Sequence, residues 1–456
     1  MKNIIGVSKT KKKHHVAIIG GGFTGIAAAY ELASKGIRVT VLEKEKEIGG
    51  LSSGFLLNGT PLEKFYHFWF TGDRHILNLA QELDIRDKIT GSRGRTGIYY
   101  DGNIYRFSSP LDLLKFTPLN FLDRVKLGVQ VLKSHVINSW EELDPVTIKE
   151  WFSRIGGDEI YRVVWSPLLE GKFGKFAPEI SAAWLWNKFE RRGKSRNGGG
   201  VEKYFYYEGG FPAFLDEVAA KIKKYGGEIR TGSPVISIEV EDGEVSSVRT
   251  QNDLIKTDAV IMTAALPIIA NIVEPHVRSE YVESLRRIKF LANICLILEL
   301  EKNLSDIFWL NINDPGYNFV GVIEHTNFIS PEIYGGRHIV YLTKYLDETD
   351  RFYKMEDIEI KEIFISDLKK IFKDLRDEMI LNSYVFRSRY AQPVAVRNYS
   401  KMIPSIRTPI KGLYISTMAQ IYPEDRGTNS PVRDGRKVAR EVISDLINGN
   451  KTSPLL

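Results

Sequence analysis

A glycine-rich turn directly after a run of β-forming residues is the first place where the chain could bind a charged ligand. Gly20, Gly22 and Gly25 in the stretch VAIIGGGFTG have the spacing Gly-x-Gly-x-x-Gly. At this spacing the first glycine allows a sharp turn, the second lets the backbone approach a pyrophosphate, and the third packs a helix against the strand. A helix that begins near Phe23 and Thr24 then offers free amides and its positive dipole end to the phosphates. We therefore predict a dinucleotide site here, rather than a turn that serves helix packing alone.

A carboxylate lies eighteen residues after the last of these glycines, at the end of the next predicted strand. Glu43, which Lys44 follows, is placed to accept hydrogen bonds from both hydroxyl groups of a ribose. Its charge would repel a 2′-phosphate, which argues against NADP. The sequence contains no second Gly-x-Gly-x-x-Gly, so we predict no separate nicotinamide site.

Two further segments carry side chains that could move protons. Tyr66 and His67 lie in the aromatic segment LEKFYHFWF, and a histidine titrates close to neutral pH. The alternative is an aromatic core segment with one hydrogen-bonded histidine. Lys172 lies among glycines and aromatic residues in LLEGKFGKF, which we interpret as a turn between two helices. A turn at the protein surface is equally consistent with that pattern.

Cations cluster beside a glycine-rich loop at residues 198–200. The cluster contains Arg191, Arg192, Lys194 and Arg196. The planar guanidinium group suits phosphates and carboxylates, so one interpretation is a mobile lid that binds such a group. The other is a solvated helix end whose cations interact favourably with the helix dipole.

The elements that must position these residues begin with a strand, a tight turn, a helix and a strand. Residues 15–19 are β-branched, residues 23–35 are rich in alanine and leucine, and residues 37–43 alternate. This order is typical of the opening unit of a doubly wound parallel sheet. Residues 412–416 predict a final strand, and residues 431–447 predict a final helix.

Helices and a small sheet are predicted between these ends. Asp144 and Pro145 predict the N-cap and first position of a helix that ends before Gly156. Further helices are predicted over residues 180–192 and from the segment 208–211 to about residue 225. Residues 235–263 have the pattern of a small antiparallel sheet.

The composition is that of an ordinary folded protein. A length of 456 residues, 43% of them hydrophobic and 26% charged, predicts two domains. The net charge of +6 is interleaved with acidic residues, which indicates a solvated surface rather than a nucleic-acid partner. Cys295 is the single cysteine, so disulfides and cysteine zinc sites are excluded, and we predict no metal site.

The apolar segments bear on location. They fall short of the roughly 20 residues that a membrane helix needs, and residues 1–15 lack the apolar core of a signal peptide. We therefore predict a cytoplasmic protein. Residues 111–136 mix apolar residues with lysines and arginines, which is consistent with a peripheral membrane contact, a tunnel for an isoprenoid substrate, or a helix packed on the core.

A second double glycine decides between the dinucleotides. Gly49, Gly50, Leu51 and Ser52 follow the ribose carboxylate, and here the chain resembles the superfamily of FAD-dependent amine oxidases, phytoene desaturases and protoporphyrinogen oxidases. The resemblance continues at residues 208–211, at Val235 and over residues 412–439. It implies an FAD cofactor, with the double glycine against the pyrophosphate and ribityl chain and the backbone of Val235 at the adenine.

The chain departs from this superfamily in two places. Leu51 stands where the family often has an arginine, so one pyrophosphate contact is missing. Met418, with Thr417, stands where the family has a glycine and an aspartate before the last helix. By position, Thr428 and Asn429 would instead cap that helix and present amides to the flavin pyrimidine edge or the ribityl chain.

The resemblance also implies where the reaction would occur. The segment of Tyr66 and His67 corresponds to a stretch that runs past the isoalloxazine ring, and it is similar to a histidine segment of UDP-galactopyranose mutase. Independently of the resemblance, the predicted turn would place Lys172 over the flavin, where a lysine can hold a reactive water or an anionic substrate group. Tyr390 begins a segment that resembles the one that returns substrate-domain residues to the flavin. Arg192 and Arg196 complete the candidate substrate residues.

We accordingly predict an α/β protein with a Rossmann-like FAD-binding domain and an interleaved substrate domain of mixed β-sheet and helices. The predicted ranges are 1–65, 203–287 and 405–456 for the first domain and 66–202 and 288–404 for the second. The predicted reaction oxidises or desaturates a CH–CH or CH–N bond of a small molecule by hydride transfer to flavin N5. Oxygen, a quinone or a carrier would accept the electrons. The alternatives are a non-redox isomerase (mutase) acting on a nucleotide sugar, and a flavin-binding protein without catalysis.

Overall fold

A parallel sheet positions the glycine turn at the carboxyl edge of its central strand. The computed structural model describes residues 14–134, 139–195 and 202–448. In sheet order, the strands of the parallel sheet are β10-β2-β1-β14-β20. The strands of the described residues are β1 His15–Ile19, β2 Arg38–Leu42, β3 Gly54–Leu57, β4 Thr60–Glu63, β5 Trp69–Phe70, β6 Ile89–Arg93, β7 Thr96–Tyr100, β8 Asn103–Arg106, β9 Lys203–Tyr207, β10 Glu228–Arg230, β11 Val235–Glu241, β12 Glu244–Thr250, β13 Leu254–Lys256, β14 Ala259–Met262, β15 Phe290–Leu300, β16 Trp309–Ile312, β17 Gly321–Glu324, β18 His338–Leu346, β19 Ile380–Pro393 and β20 Leu413–Ile415.

Helices cover the sheets and connect them. Those of the described residues are α1 Phe23–Ser34, α2 Arg74–Glu82, α3 Pro110–Leu114, α4 Phe121–Ser134, α5 Ile148–Ser153, α6 Asp158–Ile160, α7 Ser166–Phe173, α8 Ala182–Ser195, α9 Gly210–Lys224, α10 Leu266–Val273, α11 Ser279–Arg287, α12 Asp357–Ile371 and α13 Asn429–Asn448. A π-helical segment, Tyr161–Trp165, joins α6 to α7. None of the described helices is both long enough and apolar enough to cross a membrane.

The first βαβ unit places its turn where the order of strands reverses. β1 lies between β2, which follows it along the chain, and β14, which is much later in the sequence. In open α/β sheets, ligands bind at the carboxyl edge at such a switch point. The predicted opening unit and the α/β fold class are thus confirmed.

Helix α13 packs closely on the start of α1. A Cβ atom added to Gly435 would lie 2.2 Å from the carbonyl oxygen of Thr24, and one added to Gly25 would lie 2.0 Å from that of Gly20. Because real Cβ atoms do not approach so closely, both positions require glycine. The third glycine of the motif therefore fixes α1 against β1, as the spacing predicts.

A second, larger sheet contains β15 and its neighbours. Its seven strands have the order β19-β15-β18-β17-β16-β7-β8, and β16 pairs with β7 in parallel while the other pairs are antiparallel. Cys295 is buried in β15. The sheet is mixed, as predicted, and the residue boundaries of the two domains stay a prediction.

Three local predictions differ from the structure. The N-cap of α5 is Thr147, not Asp144, because Thr147 and Glu150 form a reciprocal capping box. The predicted helix over residues 180–192 begins and ends later, as α8. Residues 259–262 are not part of the antiparallel sheet of β11, β12 and β13, because as β14 they pair in parallel with β1.

Candidate functional site

A cavity of about 1150 Å³ runs from the glycine turn to the seven-stranded sheet. The predicted cofactor residues that line it are Gly20, Gly22, Phe23, Thr24, Glu43, Lys44, Gly49, Gly50, Leu51, Ser52, Val235, Met418 and Thr428. The predicted catalytic and substrate residues that line it are Tyr66, His67, Lys172, Arg192 and Tyr390. Gly25 and Asn429 do not line it, and Arg196 lies outside the described residues.

The cavity wall at the glycine turn has space for a diphosphate. Gly20 has φ +111°, a left-handed value that favours glycine. A Cβ atom on Gly22 would meet only the carbonyl oxygen of Gly49, at 3.9 Å, and so would point into open space. Helix α1 begins next to this space without a side-chain cap and without an acidic residue in its first turn. Free amides beside an open cradle fit the pyrophosphate of a dinucleotide.

Glu43 stabilises the glycine turn through hydrogen bonds to backbone amides. Its side chain is buried and accepts hydrogen bonds from the backbone amides of Gly21 at 2.7 Å and Glu45 at 2.9 Å. Each carboxylate oxygen keeps a second lone pair, so a ribose hydroxyl can still donate to it. Glu43 therefore couples the glycine turn to the end of β2, and its predicted ribose contact stays a prediction.

The residues at the start of α13 are hydrogen-bonded to neighbouring elements. The indole of Trp69 donates to Thr428 Oγ1 at 2.6 Å. Asn429 Oδ1 accepts from the amides of His75 at 2.9 Å and Ile76 at 3.2 Å, so its side chain holds the start of α2. The predicted contact of Asn429 with a flavin is thus limited to its backbone.

His67 is held by hydrogen bonds on both ring nitrogens. Its Nδ1 lies 2.6 Å from the carbonyl oxygen of Phe65, which can only accept, so Nδ1 carries the proton. Its Nε2 lies 3.2 Å from Ser52 Oγ and accepts from that hydroxyl. Burial, with the nearby charge of Arg426, lowers the pKa of His67 to about 3. Because the imidazole is neutral and hydrogen-bonded at both nitrogens, His67 is better suited to position Ser52 than to transfer a proton.

Lys172 does not lie in a turn. It is in the last turn of α7, which continues the π-helical segment, because Gly174 rather than Gly171 ends the helix. Its side chain is 13% exposed, and its Nζ donates to Asp425 Oδ2 at 2.9 Å. Burial, together with the charges of Lys188 and Arg426, lowers the pKa of Lys172 to about 7, although Asp425 opposes this. The amine therefore exchanges a proton near neutral pH.

The structure adds residues that the sequence did not single out. Asp425 Oδ2 also accepts from Lys188 Nζ at 2.6 Å, and Asp425 Oδ1 accepts from the Trp184 indole at 3.1 Å. Arg426 donates to the hydroxyl of Tyr345, which lies in β18. For Asp425 and Arg426, the sequence offered one signal, the adjacent acidic and basic residues in the segment PEDRG. No motif in the sequence indicates Tyr345.

Glu63 supports the aromatic segment from inside the protein. Its carboxyl group accepts from the amide of Phe211 at 2.6 Å and from the hydroxyl of Tyr206 at 2.7 Å. Its carbonyl oxygen accepts from Tyr341 at 2.9 Å. Burial raises the pKa of Glu63 to about 7, and the two donors only partly offset this.

Glu63→Gln is expected to weaken the pH dependence of stability between pH 4.5 and 7. The folded state binds the Glu63 proton more tightly than the unfolded state, so wild-type stability falls as pH rises through this window, by on the order of 3 kcal/mol. Glutamine cannot titrate, so this contribution disappears. Glu324, whose pKa burial also raises to about 7, keeps its own share. Thermal midpoints at pH 5 and pH 8 measure the difference.

Glu217→Gln is the control, because Glu217 forms a surface ion pair with Lys88. Its stability should follow the wild-type pH dependence. An unchanged pH dependence in Glu63→Gln would contradict the assignment.

Comparisons with known proteins give a consistent result. The model of a family described as flavin containing amine oxidoreductase matches residues 23–443. Protoporphyrinogen oxidase 2 of Arabidopsis thaliana is 25% identical over 296 residues, which are 55% of this chain and 57% of that protein. Flavin-containing amine oxidase B of Sus scrofa is 25% identical over 279 residues, which are 56% of this chain and 51% of the relative. The aligned part is thus little more than half the length of these relatives.

A solved structure agrees over nearly the whole chain. It belongs to a protein of Exiguobacterium sp. 255-15 provisionally named protoporphyrinogen oxidase, with a TM-score of 0.74 at 16% identity. The superposition covers 94% of this chain and 98% of the other. At this identity it shows the fold alone. The likeness to UDP-galactopyranose mutase finds no support in these comparisons.

Proposed function

We propose that the chain, which belongs to the family of flavin containing amine oxidoreductases, is an FAD-dependent oxidoreductase. Its cofactor is FAD, and its substrate is a small molecule in which a CH–CH or CH–N bond is oxidised. When bound, FAD supplies an acceptor for a hydride at its N5 atom. The nucleotide-sugar isomerase is not proposed, because the relatives named above are oxidases.

The cavity is the observation that carries this proposal. One continuous space joins the glycine cradle to an aromatic chamber whose walls include Tyr66, Trp309 and Tyr345. The ring of Tyr66 lies 4.8 Å from that of Trp309, in an edge-to-face arrangement. Aromatic walls exclude water and orient a substrate, which lowers the barrier to transfer between two held groups.

Two residues of the cavity wall would have roles in the reaction, one in positioning and one in proton transfer. We propose that His67 positions Ser52 at the double glycine, through the hydrogen bond between Nε2 and Oγ. We propose that Lys172, with its pKa of about 7, holds a water or accepts a proton at Nζ. The rate would then rise with pH as the amine loses its proton, at or above the pKa of about 7 that Lys172 has without a bound substrate.

Spectroscopy of the purified protein tests the proposal. The oxidised protein should be yellow, and dithionite should bleach the flavin absorbance. A library of amines and of saturated CH–CH compounds should contain members that bleach the flavin without oxygen. A yellow protein that no compound reduces would favour a binding protein without catalysis. A colourless protein that takes up no FAD would overturn the proposal.

The electron acceptor and the location are further proposals. Oxygen, a quinone and a carrier protein remain the candidates for the acceptor, and reoxidation rates of the reduced protein with each of them separate these. A cytoplasmic location is a prediction that cell fractionation tests.

We also propose a peripheral membrane contact through the surface formed by α3 and α4, here called the α3–α4 surface. Its exposed apolar side chains are Leu111, Leu114, Phe121, Leu122, Val125, Val129 and Leu132. Lys115 and Lys133 are exposed beside them, whereas the carboxylate of Asp112 accepts from the amide of Ser109 and that of Asp123 accepts from the side-chain amide of Asn120. Leu127 and Val131 of the same helix line the cavity. An apolar surface with exposed cations beside it favours a leaflet of anionic lipid.

The double variant Phe121→Ser/Leu122→Ser is expected to lose binding to phosphatidylglycerol vesicles. Each side chain contributes about 1.5–3 kcal/mol when it is buried, so cosedimentation should fall about tenfold or more. Leu56→Ser is the matched control, because Leu56 and Leu122 are both 70% exposed. A similar loss in the control, or no binding of the wild-type protein, would argue against the contact.

A further inference from the structure

Three cations and one carboxylate meet inside the cavity, and we call them the Asp425 cluster. Lys172, Lys188 and Arg426 supply the positive charges, and Asp425 supplies the negative charge. The side chains of Lys172 and Asp425 are each 13% exposed. The cluster therefore carries an excess of positive charge in a place with little access to bulk water.

The carboxylate of Asp425 has little capacity left. Both lysines donate to its Oδ2, and the indole of Trp184 donates to its Oδ1. Gln392 lies 3.4 Å from the same Oδ1. Because these donors surround Asp425, it is not available to bind a cationic substrate.

Arg426 has a phenol rather than a carboxylate as its hydrogen-bond partner. Among the described residues, it donates to the hydroxyl of Tyr345, and its guanidinium carbon lies 5.2 Å from the centre of that ring. Lys172 Nζ lies 5.7 Å from the same ring centre. The ring of Tyr345 is therefore already occupied by the chain's own cations and is not open to a substrate ammonium.

The remaining acidic residues of the described cavity wall do not change this balance. Asp73 pairs with Arg191 at 2.8 Å, and Glu43 and Glu45 lie at the glycine turn. We infer that the substrate carries an anionic group, most simply a carboxylate, which binds beside Lys172 and Arg426, and that a protonated amine is excluded. This inference rests on the proposed function and names its substrate class.

The protonation state of Lys172 should change when an anionic substrate binds. Burial and the neighbouring cations lower its pKa to about 7. A bound carboxylate would favour the protonated amine, so its binding should take up part of a proton between about pH 7 and 8.

Calorimetric titration of the FAD-loaded protein with benzoate, benzylamine and benzyl alcohol tests the inference without any turnover. These probes share a ring and differ in charge. At pH 7.5 and without oxygen, benzoate should bind at least tenfold more tightly than benzylamine. Titrations in buffers of different ionisation enthalpy should show proton uptake with benzoate. Equal or tighter binding of benzylamine would overturn the inference.

Variants show whether benzoate binding depends on the Asp425 cluster or on the positive charge of the whole cavity. Arg426→Gln should weaken benzoate binding at least tenfold, and Arg426→Lys should restore part of it. Lys172→Met should abolish the proton uptake. Arg389→Gln is the control, since Arg389 lines the cavity but pairs with Glu348 at the surface. Unchanged benzoate affinity in Arg426→Gln, or a loss as large in the control, would overturn the inference.

The flavin content, measured first from absorbance, keeps the two proposals apart. A yellow protein that prefers benzylamine contradicts the anionic substrate and leaves the oxidoreductase intact. A protein without flavin contradicts the proposed function itself, while titration of the same cavity still decides between benzoate and benzylamine.

Discussion

Gly22→Val is expected to give a folded, colourless protein. Gly22 has φ −75° and ψ 179°, an extended conformation that valine adopts readily. A side chain here would meet no packed atom, because the nearest neighbour of its Cβ is the Gly49 carbonyl oxygen at 3.9 Å. It would instead fill the space that the structure leaves for a diphosphate. Overpacking of about 3 kcal/mol corresponds to a loss of at least about a hundredfold in FAD affinity.

Two other glycines make this prediction specific. Gly72→Val is the matched control, since Gly72 has open space around it but does not line the cavity, and this variant should be yellow. Gly25→Ala should fail differently, because its Cβ would lie 2.0 Å from the Gly20 carbonyl oxygen and would separate α1 from β1. Flavin absorbance per protein and the thermal midpoint distinguish these outcomes. A yellow Gly22→Val protein would place the cofactor elsewhere.

The first βαβ unit was predictable because its signals are local. The β-branched strand, the glycine spacing and the acidic residue at the end of β2 all lie within 30 residues of one another. Each of them reports on backbone geometry that neighbouring residues determine. The cradle at Gly22 and the position of Glu43 beneath it follow from that geometry.

The Asp425 cluster was not predictable, because no local pattern records it. Lys172 and Asp425 are 253 positions apart, and they meet only when α7 and the segment before α13 pack together. The sequence around Lys172 was even misleading, because its glycines suggested a turn where the structure has the end of a helix. Charges that pair over such distances become visible only in the tertiary structure.

The position and the protonation state of His67 differ in how far the sequence could predict them. The sequence left open a functional histidine or a hydrogen-bonded histidine in an aromatic core segment, and the structure places His67 at the cavity. Its protonation state depends on burial, on the Phe65 carbonyl group and on Arg426, which is far away in the sequence. Residue type alone therefore suggested a proton carrier, whereas the surroundings favour a neutral positioning residue.

Asp425→Asn is expected to destabilise the protein strongly at neutral pH. The change would leave the ammonium groups of Lys172 and Lys188 inside the protein without their counter-ion. Removal of one partner of a buried ion pair costs about 3–5 kcal/mol. Equilibrium unfolding in urea, followed by tryptophan fluorescence, measures the loss. The second change Lys172→Met, made in the Asp425→Asn protein, should recover part of it by removing one uncompensated charge.

The stability of the protein should depend on the protonation state of Lys172. The pKa of Lys172 is lowered to about 7 in the folded protein, so the unfolded chain binds more protons above pH 7. Stability of the wild-type protein therefore gains from this group as pH rises from about 7 to 10.5, the ordinary value for lysine. The part of the Asp425→Asn cost that comes from Lys172 should instead shrink as pH rises towards and through about 7, because a neutral Lys172 needs no counter-ion. Glu348→Gln removes the partner of the exposed Arg389 and should cost no more than about 1 kcal/mol. An equal loss in both variants would mean that the Asp425 cluster contributes no more than a surface ion pair.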